Sequence, residues 1–223
     1  LLVFDDAADL LAFQRFCMRE VLRLVALSVK QIESFFRTDD NIAVLSLGGI
    51  VISRSIHLGS QDFDQAIRDY IRQEYAVVTD DETIEEMKIH NGSAVLPLED
   101  RGYYFTGRGI DDGLQREVGV KASEIYRVMG KPLVKILDLV QAVLRETPPE
   151  LSADIMEHGI VLTGGGAKLH GMDQLFSQEL GVPVALSPEP EMAVALGTGR
   201  ALQDREKLGA LVEGVERIYR RRF

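Results

Sequence analysis

Apolar residues in this chain recur at helical spacing over several stretches, and short β-branched runs lie between them. From Ala7 to Phe36 apolar positions such as Leu10, Leu11, Phe16, Leu22, Val25, Ile32 and Phe36 are interrupted at helical intervals by Gln14, Arg15, Arg19, Arg23 and Lys30. That pattern predicts one long helix or two abutting ones, with Asp5 or Asp6 as cap. Its broad apolar stripe reads as packing on its own domain, or else as a surface for a membrane or a partner. Next, Ile42, Val44, Leu45 and Leu47 precede Gly48-Gly49, and Ile50-Val51-Ile52 follows. A glycine pair between such runs predicts a hairpin.

Gly59-Ser60-Gln61-Asp62 opens a helix through Tyr75, with Phe63, Ala66, Ile67, Tyr70 and Ile71 on one face. A further helix follows Asp80, where Thr83 and Glu86 have the spacing of a capping box. Residues 91–120 read as loops and short strands. Ser123 to Arg145 is helical in period, with Gly130 and Pro132 predicting a kink or break. Pro148-Pro149 ends that helix and primes the next. Ile160-Val161-Leu162 reads as a buried strand, followed by Gly164, Gly165 and Gly166. A helix with Met172, Leu175, Phe176 and Leu180 comes next, and Gly181 stops it. Pro183 to Leu186 supplies a short strand, Pro188 and Pro190 a loop, and a last helix carries Gly197 and Gly199.

Composition changes this picture little. At 223 residues the chain is one large domain or two small ones. A net charge of −10 excludes general nucleic-acid binding, which needs a basic surface to displace counterions. Cys17 is the one cysteine and cannot form an internal disulfide, so a reducing cytoplasm is the expected compartment. His57, His90, His158 and His170 show no metal-ligand spacing, and no metal site is expected. No basic leader precedes the first apolar residues, and no run approaches the ~18 apolar residues of a membrane span. The closing Arg220-Arg-Arg-Phe223 reads as a solvated terminus, with an anionic membrane surface or acidic partner as the second reading.

Candidate chemistry centres on the glycine run. Strand, glycines and helix together let backbone approach a nucleotide, with no β-carbons in the way and free N–H groups at a helix start. A tight strand-to-helix turn without ligand has the same pattern. Glu85 and Lys88, three residues apart on their helix, read by themselves as a solvated ion pair.

Several ordered blocks carry a resemblance. They are Ser46-Leu-Gly-Gly-Ile-Val-Ile-Ser-Arg-Ser-Ile56, Glu85-Glu-Met-Lys88 with Gly92-Ser-Ala94, Thr147-Pro-Pro-Glu-Leu-Ser-Ala-Asp-Ile155, Gly159 to Ala167, Gly181-Val-Pro-Val184 and Val194 to Leu202. Together they closely resemble the MreB family, the bacterial actins of rod-shaped cells, over about residues 42–203.

The resemblance implies an α/β fold, an actin-like (ribonuclease H-like) lobe with a small α+β outer subdomain and an N-terminal helical segment. Residues 41–75 and 121–205 would form the large subdomain of the second lobe, 76–120 the outer subdomain, 1–40 the unmatched helical segment and 206–223 a C-terminal helix or tail. It implies ATP with Mg²⁺ as cofactor, held on the adenosine side by Glu85, Glu86, Met87, Lys88, Gly164, Gly165, Gly166 and Ala167. Binding is expected to be weak. The family's second phosphate loop precedes the hairpin, yet Ser34 to Asp40 contains no glycine and ends in Asp39-Asp40, which would repel phosphate. Neither phosphate loop is present, so the chain reads as truncated or divergent. No catalytic residue is assigned, and ATP hydrolysis by this chain alone is not expected. Ser60 and Gln61 also stand where the family usually has glycine and Asp.

The functional expectation is a cytoskeletal protein of cell shape, acting through ATP-linked filaments. The alternative is a half-actin interaction module without nucleotide turnover. Expected partners are further copies of the chain and cell-elongation proteins, with no nucleic acid. The expected location is the cytoplasm, with a peripheral contact at the inner membrane face as the second reading.

Overall fold

The computed structural model describes residues 2–3, 40–46 and 49–197, with side chains for 42–44 and 51–197. The expected N-terminal helix, the Ser34–Asp39 stretch, the hairpin tip at 47–48, the end of the last helix beyond Gly197 and the 206–223 tail lie outside the described residues.

Strand β1 is Leu2–Val3. The hairpin forms as β2 (Asp40–Ser46) and β3 (Gly49–Ile56), antiparallel, with a register shift between Val44 and Leu45. Helix α1 (Ser60–Tyr75) buries Phe63, Ile67 and Ile71, the middle of the predicted stripe, and ends at Ala76 in the left-handed conformation (φ 51°). After β4 (Val77–Val78), α2 spans Asp81–Asn91.

The cap of α2 differs from the expected Thr83 box. Asp80 is the N-cap, and its carboxylate accepts the Thr83 backbone N–H at 2.8 Å and the Thr83 hydroxyl at 3.1 Å. A carboxylate one turn earlier is the better acceptor for the helix's free N–H groups. Those bonds hold the Asp80 carboxyl below its usual range.

Residues 91–120, expected as loops and short strands, contain a longer hairpin of β5 (Gly102–Gly109) and β6 (Gln115–Lys121). Its alternation buries Phe105, Val118 and Val120 on one face and leaves Tyr104 in solvent. Helix α3 (Ala122–Glu146) runs on through Pro132, so of the expected kink or break the break does not occur. Proline removes one helical hydrogen bond, at a cost of ~3 kcal/mol. Buried Ile125, Met129, Leu133, Ile136, Val140 and Val143 hold the helix on both sides of that point. Helix α4 (Pro149–His158) starts on proline, as predicted.

Then come β7 (Ile160–Leu162), a 3₁₀ turn at Gly165–Lys168, α5 (Met172–Leu180) and β8 (Val184–Leu186). Gly181 ends α5 in the left-handed conformation, as its position predicts. One sheet has the order β3-β2-β1-β7-β8; the other is β4-β5-β6. Strands β7 and β8 are parallel, with α5 as crossover. The buried faces of α1, α2, α3 and α5 join Ile42, Val44, Ile160 and Leu162 in one apolar core.

Candidate functional site

The glycine run lies at the carboxyl end of β7, where open α/β sheets bind ligands. Gly164 adopts φ 90° and donates its N–H to the Pro190 carbonyl at 2.7 Å. Thr163 Oγ1 donates to the same carbonyl at 3.0 Å, which pins the loop after β8 against the turn. Ala167 N–H donates to Gly164 O and Leu169 N–H to Gly166 O, both at 3.2 Å. Ala167 packs inward, whereas Gly165 and Gly166 are exposed. A β-carbon built on Gly164, Gly165 or Gly166 meets nothing within 4 Å among the described residues. Only Gly164 needs its glycine for backbone reasons; the other two keep clear a space that no described side chain uses.

The second cluster is on α2. Met87 is fully buried and joins the core beside Ile84. Glu85 is exposed. Glu86 accepts the Tyr103 hydroxyl at 2.8 Å, and the Tyr103 ring stacks on His90. Burial first, and then the Glu86 carboxylate, raise the Tyr103 hydroxyl above its ordinary pKa.

Lys88 does not pair with Glu85. Its ammonium meets Asp64 Oδ1 at 2.7 Å and donates to Ser60 Oγ at 2.7 Å, both on α1. Its side chain is 11% exposed, so a turn of α2 directs it into the seam between the helices rather than along the solvated face. Asp64 and Ser60 carry no local sign of this role, because they lie more than twenty residues before Lys88 and the contact exists only once α1 and α2 pack. Met87 did carry a sign: its spacing from Ile84 is that of a core stripe.

The two clusters are joined by short links. The loop leaving α2 forms a bridge between Ser93 and His170, and Ala94 N–H donates to His170 O at 2.8 Å. Gly171, the N-cap of α5, has φ 74°, and a β-carbon there would lie 2.4 Å from Val95 Cγ2. The end of α2 and the glycine turn are therefore held together by backbone. Nearby, Ser187 N–H donates to Leu162 O at 2.9 Å, and Ser187 Oγ is buried with no hydrogen-bond partner among the described residues. A cavity of about 750 Å³ between α3 and α5, lined by Leu96, Leu133, Leu137 and Leu175 among others, includes none of the predicted site residues.

A family model described as MreB/Mbl protein matches residues 37–210. The chain is 39% identical over 168 residues to the cell shape-determining protein Mbl of Bacillus subtilis, covering 75% of this chain and 50% of that protein. To the cell shape-determining protein MreB of Escherichia coli it is 40% identical over 162 residues, covering 73% and 47%. The crystal structure of MreB5 of Spiroplasma citri bound to ADP matches with a TM-score of 0.73 at 36% identity, over 76% of this chain and 52% of that one. The MamK double helical filament matches with a TM-score of 0.62 at 17% identity, over 75% and 52%, and shares the actin-like fold. The chain spans about half the length of the curated relatives it matches.

Proposed function

The chain belongs to the MreB/Mbl family, and from that premise we propose that it serves as the nucleotide-cradling second lobe of a bacterial actin that shapes the cell through filaments. In this reading residues 41–75 and 121–205 form the large subdomain and 76–120 the outer one, flanked by 1–40 and 206–223. The observation that carries it is the empty space over Gly165 and Gly166, which the fold itself does not require. The MreB5 structure bound to ADP supports an adenine nucleotide as the occupant.

The residues present suit a nucleoside. Gly164 to Gly166 offer backbone without side chains, and Lys88, Glu85 and Glu86 lie on α2, whose end is bridged to the same turn. Met87 and Ala167 contribute from below, as core beneath α2 and the glycine turn. Mg²⁺ would accompany the phosphates of ATP. Among the described residues no group of three acidic, His or Cys side chains could hold a metal, so no residue is assigned to it. With one wall supplied, binding is weak. Self-association into filaments and contact with cell-elongation proteins follow from the family reading, as does a place at the inner membrane face. No helix among the described residues is long and apolar enough to cross a membrane.

Calorimetric titration with ATP, with and without Mg²⁺, tests the nucleotide part. Saturable binding weaker than about 10 µM is expected, with a loss of at least about tenfold in Gly165→Asp and in Lys88→Ala. Gly165→Asp is the informative variant, because its side chain enters open space and leaves the fold intact. No heat at millimolar ATP from a folded protein would overturn this reading and leave the glycine turn as architecture.

A further inference from the structure

We propose that Asp64, assisted by Ser60, is a positioning and specificity residue that presents Lys88 to a nucleoside as a charge-neutralised hydrogen-bond donor. The inference rests on the nucleotide reading above and adds to it a residue pair on a different helix.

Two ion pairs cross the antiparallel seam between α1 and α2. Arg68–Asp81, at 2.7 Å, has its carboxylate in solvent, with Asp81 91% exposed. Lys88–Asp64, also 2.7 Å, is sheltered, with side-chain exposures of 11% and 22%. The sheltered pair lies at the end of the seam where α2 hands over to the Ser93–His170 bridge and so to the glycine turn. An exposed pair contributes little to stability. A sheltered ammonium would be costly without its counter-ion, so Asp64 fixes both the charge and the place of Lys88.

A lysine ammonium has three N–H donors. Ser60 takes one, and Asp64 Oδ1 stands against the ammonium at 2.7 Å as its counter-ion, outside hydrogen-bond geometry, so donor capacity remains for a ligand. Neutralisation by Asp64 decides what kind of ligand it suits. A bare ammonium in a sheltered place attracts polyphosphate; one already paired adds a directed donor without net charge. Such a donor matches the hydroxyl and ring-nitrogen acceptors of a neutral nucleoside. Asp64 thus favours recognition of the nucleoside portion over the phosphate tail.

The experiment compares adenosine and ATP titrations of the wild-type chain, Asp64→Asn, Lys88→Met and the double variant, each checked as folded by circular dichroism at the titration temperature. Asp64→Asn is expected to weaken adenosine roughly tenfold and ATP by less, so that the ratio of the two affinities shifts toward ATP. In the Lys88→Met background the same substitution should change neither. Ser60→Ala, which removes only a hydroxyl, should weaken adenosine roughly two- to fivefold without disturbing the fold. Equal losses for both ligands, full additivity in the double variant, or no change would overturn the positioning role while leaving the nucleotide reading intact. A folded wild-type chain that binds neither ligand would remove both.

Discussion

At the residue scale, two glycines a few positions apart have opposite reasons to exist. Gly171 is demanded by the fold: its φ is 74° and Val95 occupies the place of its β-carbon. Gly165 has neither constraint and faces open space. Gly171→Ala is therefore expected to lower stability by about 1–3 kcal/mol. Gly165→Ala should be neutral or raise stability by up to about 1 kcal/mol, since it restricts the unfolded chain at no folded-state cost. Urea unfolding of both variants checks the pair, and a large loss in Gly165→Ala would mean that the turn needs its glycine for folding. A plain motif reading treats all of these glycines alike. The conformation and the neighbour separate them, and neither is a property of local sequence.

At the element scale, the junction of α1 with α3 is held by one carboxylate. Glu124 accepts the Tyr70 hydroxyl, at 2.5 Å, and the Tyr75 hydroxyl at 3.0 Å on one oxygen, and the Lys121 backbone N–H at 2.7 Å on the other. Burial alone would raise the Glu124 carboxyl, but the bonds from Tyr70, Lys121 and Tyr75 outweigh it and hold the group below its ordinary value of 4.5. Both tyrosine hydroxyls are pushed above their ordinary value of 10, first by burial and then by the carboxylate they bond. The signs give two limbs. Glu124 binds its proton less tightly in the folded chain, so its contribution is complete above pH 4.5 and is lost as the pH falls through the lowered value. The tyrosines hold their protons more tightly when folded, so their contribution is complete below pH 10 and is lost as the pH rises through the raised values. Glu124→Gln is expected to cost about 1–2 kcal/mol at neutral pH and to flatten the acid limb of a plot of stability against pH. An unchanged acid limb would show that other carboxylates govern it.

At the scale of the whole molecule, one apolar core underlies both sheets, while the candidate site lies where the end of α2 meets the loops after β7 and β8. Among the described residues the site presents a single wall, and the chain covers about half the length of its relatives. In the proposed reading, nucleotide held on the wall formed by the described residues does not switch a two-sided cleft. Sedimentation of the 223-residue chain is accordingly expected to be the same with and without Mg-ATP. Pelleting that rises sharply with Mg-ATP would show instead that this chain polymerises by itself in response to nucleotide.

Sequence by itself determined the features that depend on local periodicity and local backbone: the β2–β3 hairpin, the faces of α1 and α3, the strand–glycine–helix order around Gly164 and the stop at Gly181. These are legible because side-chain spacing and glycine conformation act within a few residues. The family was legible for a related reason, since several ordered blocks match together. Tertiary structure decided what depends on distant partners. It carried α3 through Pro132, because the burial of Met129, Leu133 and Ile136 outweighs one lost hydrogen bond. It drew Lys88 away from Glu85 to Asp64, because only the packing of α1 on α2 brings that carboxylate within 2.7 Å.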